Sequence, residues 1–504
     1  MRKKKQHKQS RLTLLVTLIA ICMLVLSACS GGKGSTTDKG TTGDGNGNSE
    51  GAVQTGNVKP VDDGKKWVIK FDPQGHLPRK PDAQNPAEKK ALDELNKEYE
   101  ALHPNVKIEL VKVPNTQDRN AWLQARMMAK DAPDIFWLNF ESTWDHYQKG
   151  WFYPVDEWMK DPTPYNDNKV WGDTFVAGIL DSVRAPNGKL YDIPADGVGV
   201  AIFYNKKIFQ DLNLEVPKTW KEFMDVQAKI KASGVTPFAF NMVNKGCCDA
   251  SWSEALLHNQ FLIGQIDQLD ENKNNRVDPI EIAHATKSGL LPNNEILKQE
   301  VAMIKEWMQY WPKGYASKYD QTEMFTSGKA AMVYGSSGTF SAYRAMNLPF
   351  EWGAFNFPVV TKESAPLSTE KGAKILGPWG PGQWIIPGYL EKEDPDKLQI
   401  IKDYLMFLSK PESISKLAKE AQTEPNIIGA TAPEGHEVFQ EDLPIIVIQA
   451  YDVYMGRSFS DKFENALMLY LNDSISMDEY LKQIKQAYDV GADETIAAQE
   501  EQAK

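Results

Sequence analysis

The stretch APDIFWLNFESTW, Ala132–Trp144, decides the fold. Its apolar run Asp134–Leu138 is too short for a helix and reads as a buried strand, and the polar and aromatic residues after it read as a loop. Upstream, KKWVIKF, Lys65–Phe71, is strand-like by its β-branched and apolar content. Ala91, Leu92, Leu95, Tyr99 and Leu102 then recur at helical spacing and stop at His103–Asn105. Val106–Val113 largely alternates apolar with polar residues, a half-buried strand, and Arg119–Lys130 fits a second helix. Strand, helix, strand, helix, strand begins an α/β lobe with a parallel or mixed sheet.

Five segments, in this order, carry a resemblance: Ala132–Met159, Gly188–Phe240, MFTSGKAAMVYGSSGTFS at Met324–Ser341, WGAFNFP at Trp352–Pro358, and Lys397–Ala418. Together they resemble the extracellular solute-binding proteins that serve carbohydrate ABC importers. The resemblance implies an α/β, two-lobe, periplasmic-binding-protein-like fold with multiple hinge crossovers and a ligand cleft between the lobes. On that pattern lobe one is expected at 66–197 and 381–430, and lobe two at 198–380 and 431–504. The expected ligand is an oligosaccharide, the expected partners are membrane permease subunits, and the protein is expected to be a monomer.

A sugar site needs aromatic faces for pyranose rings and planar polar groups for hydroxyls. Glu141, Trp144 and Asp145 follow the strand ending at Leu138, and open α/β sheets bind ligands at the carboxyl ends of their strands. Glu141 either faces a ligand or caps the helix expected from Ser142. Asp196 precedes a hinge-like strand ending at Tyr204, a residue expected to pack in the core. A further strand is expected to end at Tyr334, with Gly335, Ser336, Ser337 and Gly338 turning out of it, so Ser336 and Ser337 are ligand candidates. Trp252 at a helix start and Trp379 in the loop GPWGPG are candidate stacking platforms.

LDENKNNRVDPIE, Leu269–Glu281, has a second pattern. Counted from Asp270, oxygen donors fall at Asp270, Asn272, Asn274, the carbonyl of Arg276, Asp278 and Glu281, the positions from which an EF-hand loop binds calcium. Val277 stands at the apolar eighth position, while Asn275 replaces the usual glycine at the sixth. The expected cofactor is Ca2+, stapling an insertion in lobe two. A related loop occurs in the branch of the family that takes up acidic oligosaccharides, so both neutral and uronic-acid sugars stay open as ligands.

The amino end fixes the compartment. A basic head with Arg2, Lys3, Lys4, Lys5, Lys8 and Arg11 precedes an apolar run, Leu12–Leu26, shorter than the roughly 20 residues a bilayer span needs. The run ends in LSAC, which resembles the lipobox of bacterial lipoproteins, so residues 1–28 are read as a signal peptide and Cys29 as the lipidated mature terminus. The Gly-, Ser- and Thr-rich segment that follows, to about residue 65, has little to bury and reads as a tether at the outer face of the cell membrane.

With 57 basic and 68 acidic residues the chain has a net charge of −11, and the signal carries only basic ones. Such acidity argues against nucleic acid as a partner. Cys247 and Cys248 either close a strained ring or remain thiols. No nucleophile elbow, zinc-binding His pair or phosphate loop occurs, so a binding protein is expected rather than an enzyme. A polysaccharide-degrading enzyme or a surface adhesin are the alternatives.

Overall fold

A computed structural model describes residues 64–81, 88–113, 119–139, 146–242, 249–317, 320–378, 380–448 and 455–502. All of them belong to one compact unit within Asn57–Lys504. Among the described residues the strands are β1 (Trp67–Phe71), β2 (Val106–Leu110), β3 (Asp192–Pro194), β4 (Asp196–Asn205), β5 (Thr236–Ala239), β6 (Ala330–Ser336), β7 (Trp352–Phe355), β8 (Ile375–Gly377), β9 (Gln383–Ile385) and β10 (Glu424–Pro425). Helices of nine residues or more are α1 (Ala91–Leu102), α2 (Arg119–Ala129), α3 (Trp220–Ala232), α4 (Asp249–Leu262) and α5 (Pro279–Lys287). They continue with α6 (Asn294–Met308), α7 (Gly338–Met346), α8 (Pro395–Leu408), α9 (Pro411–Ala421), α10 (Gly456–Leu471) and α11 (Met477–Gln502). Among the described residues no helix is long and apolar enough to cross a membrane.

The first sheet grows from β1, which buries Trp67, Ile69 and Phe71 and exposes the residues between them. It pairs in parallel with β2, Trp67 opposite Val106, and α1 supplies the crossover by burying Leu92, Leu95 and Tyr99. The strand expected at Asp134–Leu138 is reduced to two bridges, Phe71 to Ile135 and Phe136 to Ile385. Those bridges still carry the sheet on to β9, which pairs with β3. Beneath it Tyr99 meets Tyr404 edge to face and Phe407 at a tilt, which brings α8 against α1.

The second sheet is organised around β4, ten residues long and buried along nearly its whole length. β6 pairs with one edge of β4, and β7 and β8 pair with the other. β5 adds to β6 in parallel. One face buries Phe238, Tyr334 and Phe357 against Trp220 and Trp307, and the opposite face buries Ala201, Phe203 and Val333 under Phe340 and Tyr343. β6 runs two residues past the expected end at Tyr334. Gly335 therefore lies inside the strand, where an added Cβ would press on the Phe203 ring, and the turn is confined to Ser337.

Among the described residues the chain passes between the sheets three times. β3 leads into β4, β8 leads through a short loop into β9, and β10, arriving from α9, pairs with the start of β4. Helices α10 and α11 pack on each other, and α11 packs along α5.

Candidate ligand site

At the carboxyl end of β1 the chain places Asp72, 2% exposed, against Arg119, the first residue of α2, as an ion pair. Burial pushes the Asp72 carboxyl up, although the Arg119 guanidinium pulls it back toward ionisation. Arg119 also donates to the carbonyl of Trp137 at 2.6 and 3.2 Å, and its guanidinium lies 5.0 Å from the Trp137 ring and 5.8 Å from Trp122. The indole N–H of Trp137 donates to Gly380 O at 2.9 Å, which ties this cluster to the loop between β8 and β9.

The second sheet presents a comparable face. Trp252, half-buried on α4, meets Tyr334 of β6 edge-on at 5.9 Å, and the neighbouring Ser253 hydroxyl lies 3.1 Å from the Tyr334 hydroxyl. Ser336, half-buried, ends β6 opposite Val200. Ser337 is 1% exposed, donates its amide to Gly199 O at 2.8 Å, and has a hydroxyl with no hydrogen-bond partner among the described residues. Behind Ser253, a small crevice is lined by Phe240, Met242, Glu254, Trp307 and Trp311. Its walls belong to the core, since Trp311 stacks on Phe240 at 3.9 Å and Trp307 is fully buried.

Between these faces lies a polar junction. Asp196 Oδ1 accepts the Gly382 amide at 2.8 Å. Its Oδ2 accepts the Thr423 hydroxyl at 2.8 Å and lies 2.9 Å from His76 Nε2. Asp196 is 1% exposed, and a Cβ on Gly380 or Gly382 would collide with it. Asp196, a ligand candidate by its place before β4, has both carboxylate oxygens engaged in holding the crossing segments together. Next to it, Glu424 of β10 pairs with His436, which is fully buried between Phe340 and Phe439.

Of the residues expected from sequence, Glu141, Trp144, Asp145, Trp379 and Cys29 lie outside the described residues, as do Cys247 and Cys248. Trp252 and Ser336 share one face of the second sheet. Tyr204 packs against Phe209 and Phe355, as its place in a strand predicts. Asp72, Arg119 and Trp137 were missed. Asp72 directly follows a strand, so the rule that selected Glu141 and Asp145 also reaches it.

The acidic loop folds around its own oxygens. The Asp270 carboxylate accepts the amides of Asn274 and Asn275 at 3.0 and 2.8 Å, and Asn274 Oδ1 accepts the Arg276 amide at 2.9 Å. Glu281 accepts the amides of Asn272 and Asp278, each at 2.9 Å, and Asp278 caps α5. Asn272 Nδ2 donates to Asp278 Oδ2 at 2.9 Å and joins the third and ninth positions. Asn275 has φ +63°, the left-handed conformation a glycine usually supplies, so its departure from the pattern is absorbed. Burial pushes Asp278 up to about 6 and Glu281 up to about 7, and neighbouring carboxylates add to both. Among the described residues no three His, Cys, Asp or Glu side chains form a metal cluster by themselves. The residue types fit a hard cation only if the amide oxygens and the Arg276 carbonyl complete the set.

Residues 83–404 match the family of bacterial extracellular solute-binding proteins. The chain belongs to this family. The multiple sugar-binding protein of Streptococcus mutans is 26% identical over 274 residues, 53% of this chain and 59% of that protein. The chain thus spans less than two thirds of that relative's length. The sn-glycerol-3-phosphate-binding periplasmic protein UgpB of Salmonella typhimurium is 25% identical over 332 residues, 65% of this chain and 69% of that one. Among solved structures, apo RafE from Streptococcus pneumoniae superposes with a TM-score of 0.61 at 18% identity, covering 85% of this chain and 98% of its own. This solute-binding protein therefore has the two-lobe fold of its structural neighbours.

Proposed function

We propose that this solute-binding protein captures an oligosaccharide between its two sheet systems and delivers it to the permease subunits of an ABC importer. The observation that carries the reading is the pairing of family membership with two aromatic and polar faces joined by the crossing segments. Arg119 and Trp137 stand on one face, and Trp252, Ser253 and Ser336 on the other. Glu141, Trp144, Asp145 and Trp379 are proposed to extend these faces. A sugar bridging both gains contacts only when they approach, so binding favours the closed state, which is the form offered to the permease. The sugar-binding relative in Streptococcus mutans supports this substrate class.

The protein is proposed to act at the outer face of the cell membrane, anchored by lipid on Cys29 and working as a monomer without catalysis. Lobe one is proposed to comprise 66–197 and 381–430, and lobe two 198–380 and 431–504. Ca2+ is proposed to bind Asp270, Asn272, Asn274, the Arg276 carbonyl, Asp278 and Glu281, where it would supply charge compensation for the clustered oxygens. The pattern of donors and the left-handed Asn275 support this assignment.

Thermal unfolding of the full chain against neutral and uronic-acid oligosaccharides tests the receptor reading. A sugar present at 100 times its Kd should stabilise the protein by about 2.7 kcal/mol and emerge chemically unchanged. Release of shorter products would identify an enzyme and overturn it.

A further inference from the structure

Residues 444–448 touch the crossing strand, the acidic loop and the helix that presents Trp252. Lys374, just before β8, donates its amide to Pro444 O at 2.8 Å and accepts from the Ile446 amide at 3.0 Å. Its ammonium group, in a side chain only 8% exposed, donates to Phe439 O at 3.0 Å and Glu441 O at 2.6 Å. One residue on, Val447 O accepts the amide of Val277, the eighth position of the acidic loop, at 2.9 Å. Asn259, fully buried on α4, completes the clamp. Its Oδ1 accepts the amides of Val447 and Ile448 at 2.7 and 3.0 Å. Its Nδ2 donates to Ile448 O at 2.6 Å and to Ala255 O at 2.7 Å.

We infer that residues 444–448 form a strap that couples cation occupancy of the acidic loop to the crossing strand β8, with Asn259 as the positioning residue. The inference rests on the proposed calcium site but goes beyond it, because it assigns the loop an effect on the ligand-binding geometry and not only on its own insertion. A displacement of Val277 is passed to Val447 by one backbone hydrogen bond. The same short segment holds both the amide and the carbonyl of Lys374 in one parallel bridge, so it cannot move independently of β8. Beyond β8 the chain reaches Gly380, whose carbonyl holds the Trp137 indole on the first sheet's face. Asn259 lies two helical turns from Trp252, on the same side of α4, so the strap also sets the register of the second face. A buried side-chain amide with all its hydrogen-bonding groups engaged locks such an arrangement, since any shift leaves polar atoms unpaired in the interior.

Amide hydrogen exchange on the full chain, with and without Ca2+, reads the coupling directly. Ca2+ is expected to slow exchange in the loop and α5, and also in residues 374–377, where coupling of ordinary strength gives roughly tenfold. In Asn259→Leu the loop should still be slowed by Ca2+ while residues 374–377 lose their response. Asn259→Asp keeps the acceptor and should retain part of it, which serves as the test if the Leu variant does not fold. Slowing confined to the loop and α5 in the wild type overturns the strap and leaves the calcium site standing. An undiminished response at 374–377 in both variants also overturns it. No response to Ca2+ anywhere removes the calcium site and the strap together.

Discussion

His76 Nε2 and Asp196 Oδ2 lie 2.9 Å apart with both side chains almost completely buried, and they join the turn after β1 to the first residue of β4. The same carboxylate holds Gly382 and Thr423, so one side chain ties all three passages between the sheets. Asp196→Ala leaves His76, Thr423 and an amide without their partner. It should cost about 3–5 kcal/mol by denaturant unfolding, the usual penalty for breaking a buried pair. Lys485→Ala, which removes an exposed pair with Asp489, should cost no more than about 0.5 kcal/mol. Equal effects at the two sites would show that the junction does not hold the crossing segments.

Asp192, the first residue of β3, is fully buried, and no side-chain donor among the described residues reaches it. Burial raises its carboxyl well above the ordinary value of 3.8, and the nearby Asp196 adds to the rise. An acid with a raised folded-state pKa contributes stability that is fully present below the unfolded value and is lost as pH climbs through the folded one. Asp192→Asn removes that loss. The variant should match the wild type at about pH 4 and gain on it progressively toward pH 8. Parallel unfolding curves across that range would exclude Asp192 as the source.

What could be read in the sequence depended on the separation of the partners. The β1–α1–β2 unit was legible because alternation and helical periodicity are local. The junction was not: Asp196 meets His76, Gly382 and Thr423 across 120, 186 and 227 residues. No spacing rule connects them, so an aspartate before a strand shows nothing of these partners in the sequence. Arg119 was hidden similarly, since its partner Asp72 is 47 residues away. Gly335 was misplaced because turn chemistry and close packing both call for glycine, and only the Phe203 ring distinguishes them.

In the proposed calcium site Glu281, the twelfth position of the acidic loop, would contribute both carboxylate oxygens while its backbone lies in the first turn of α5. Glu281→Gln keeps the size but removes the charge, and should weaken Ca2+ binding at least tenfold, about 1.4 kcal/mol, by calorimetric titration. Chelator should lower the melting temperature of the wild type and have a smaller effect on the variant. A chelator effect of the same size in both would place the responsive metal elsewhere.

Two tryptophans on connected elements separate binding from folding. Trp307 on α6 is fully buried and meets Trp220, Phe238 and Phe240 edge to face, whereas Trp252 on α4 is half-buried and touches Tyr334 with one edge. Trp307→Ala should cost about 3–5 kcal/mol of stability, as large cavities in aromatic cores do. Trp252→Ala should cost much less stability but remove a stacking platform, weakening a sugar identified by the thermal screen by about 2 kcal/mol, close to 30-fold. Isothermal titration together with unfolding of both variants distinguishes the two roles. If Trp252→Ala binds the sugar like the wild type, the second face of the site lies away from α4, and Ser336 becomes the residue to test next.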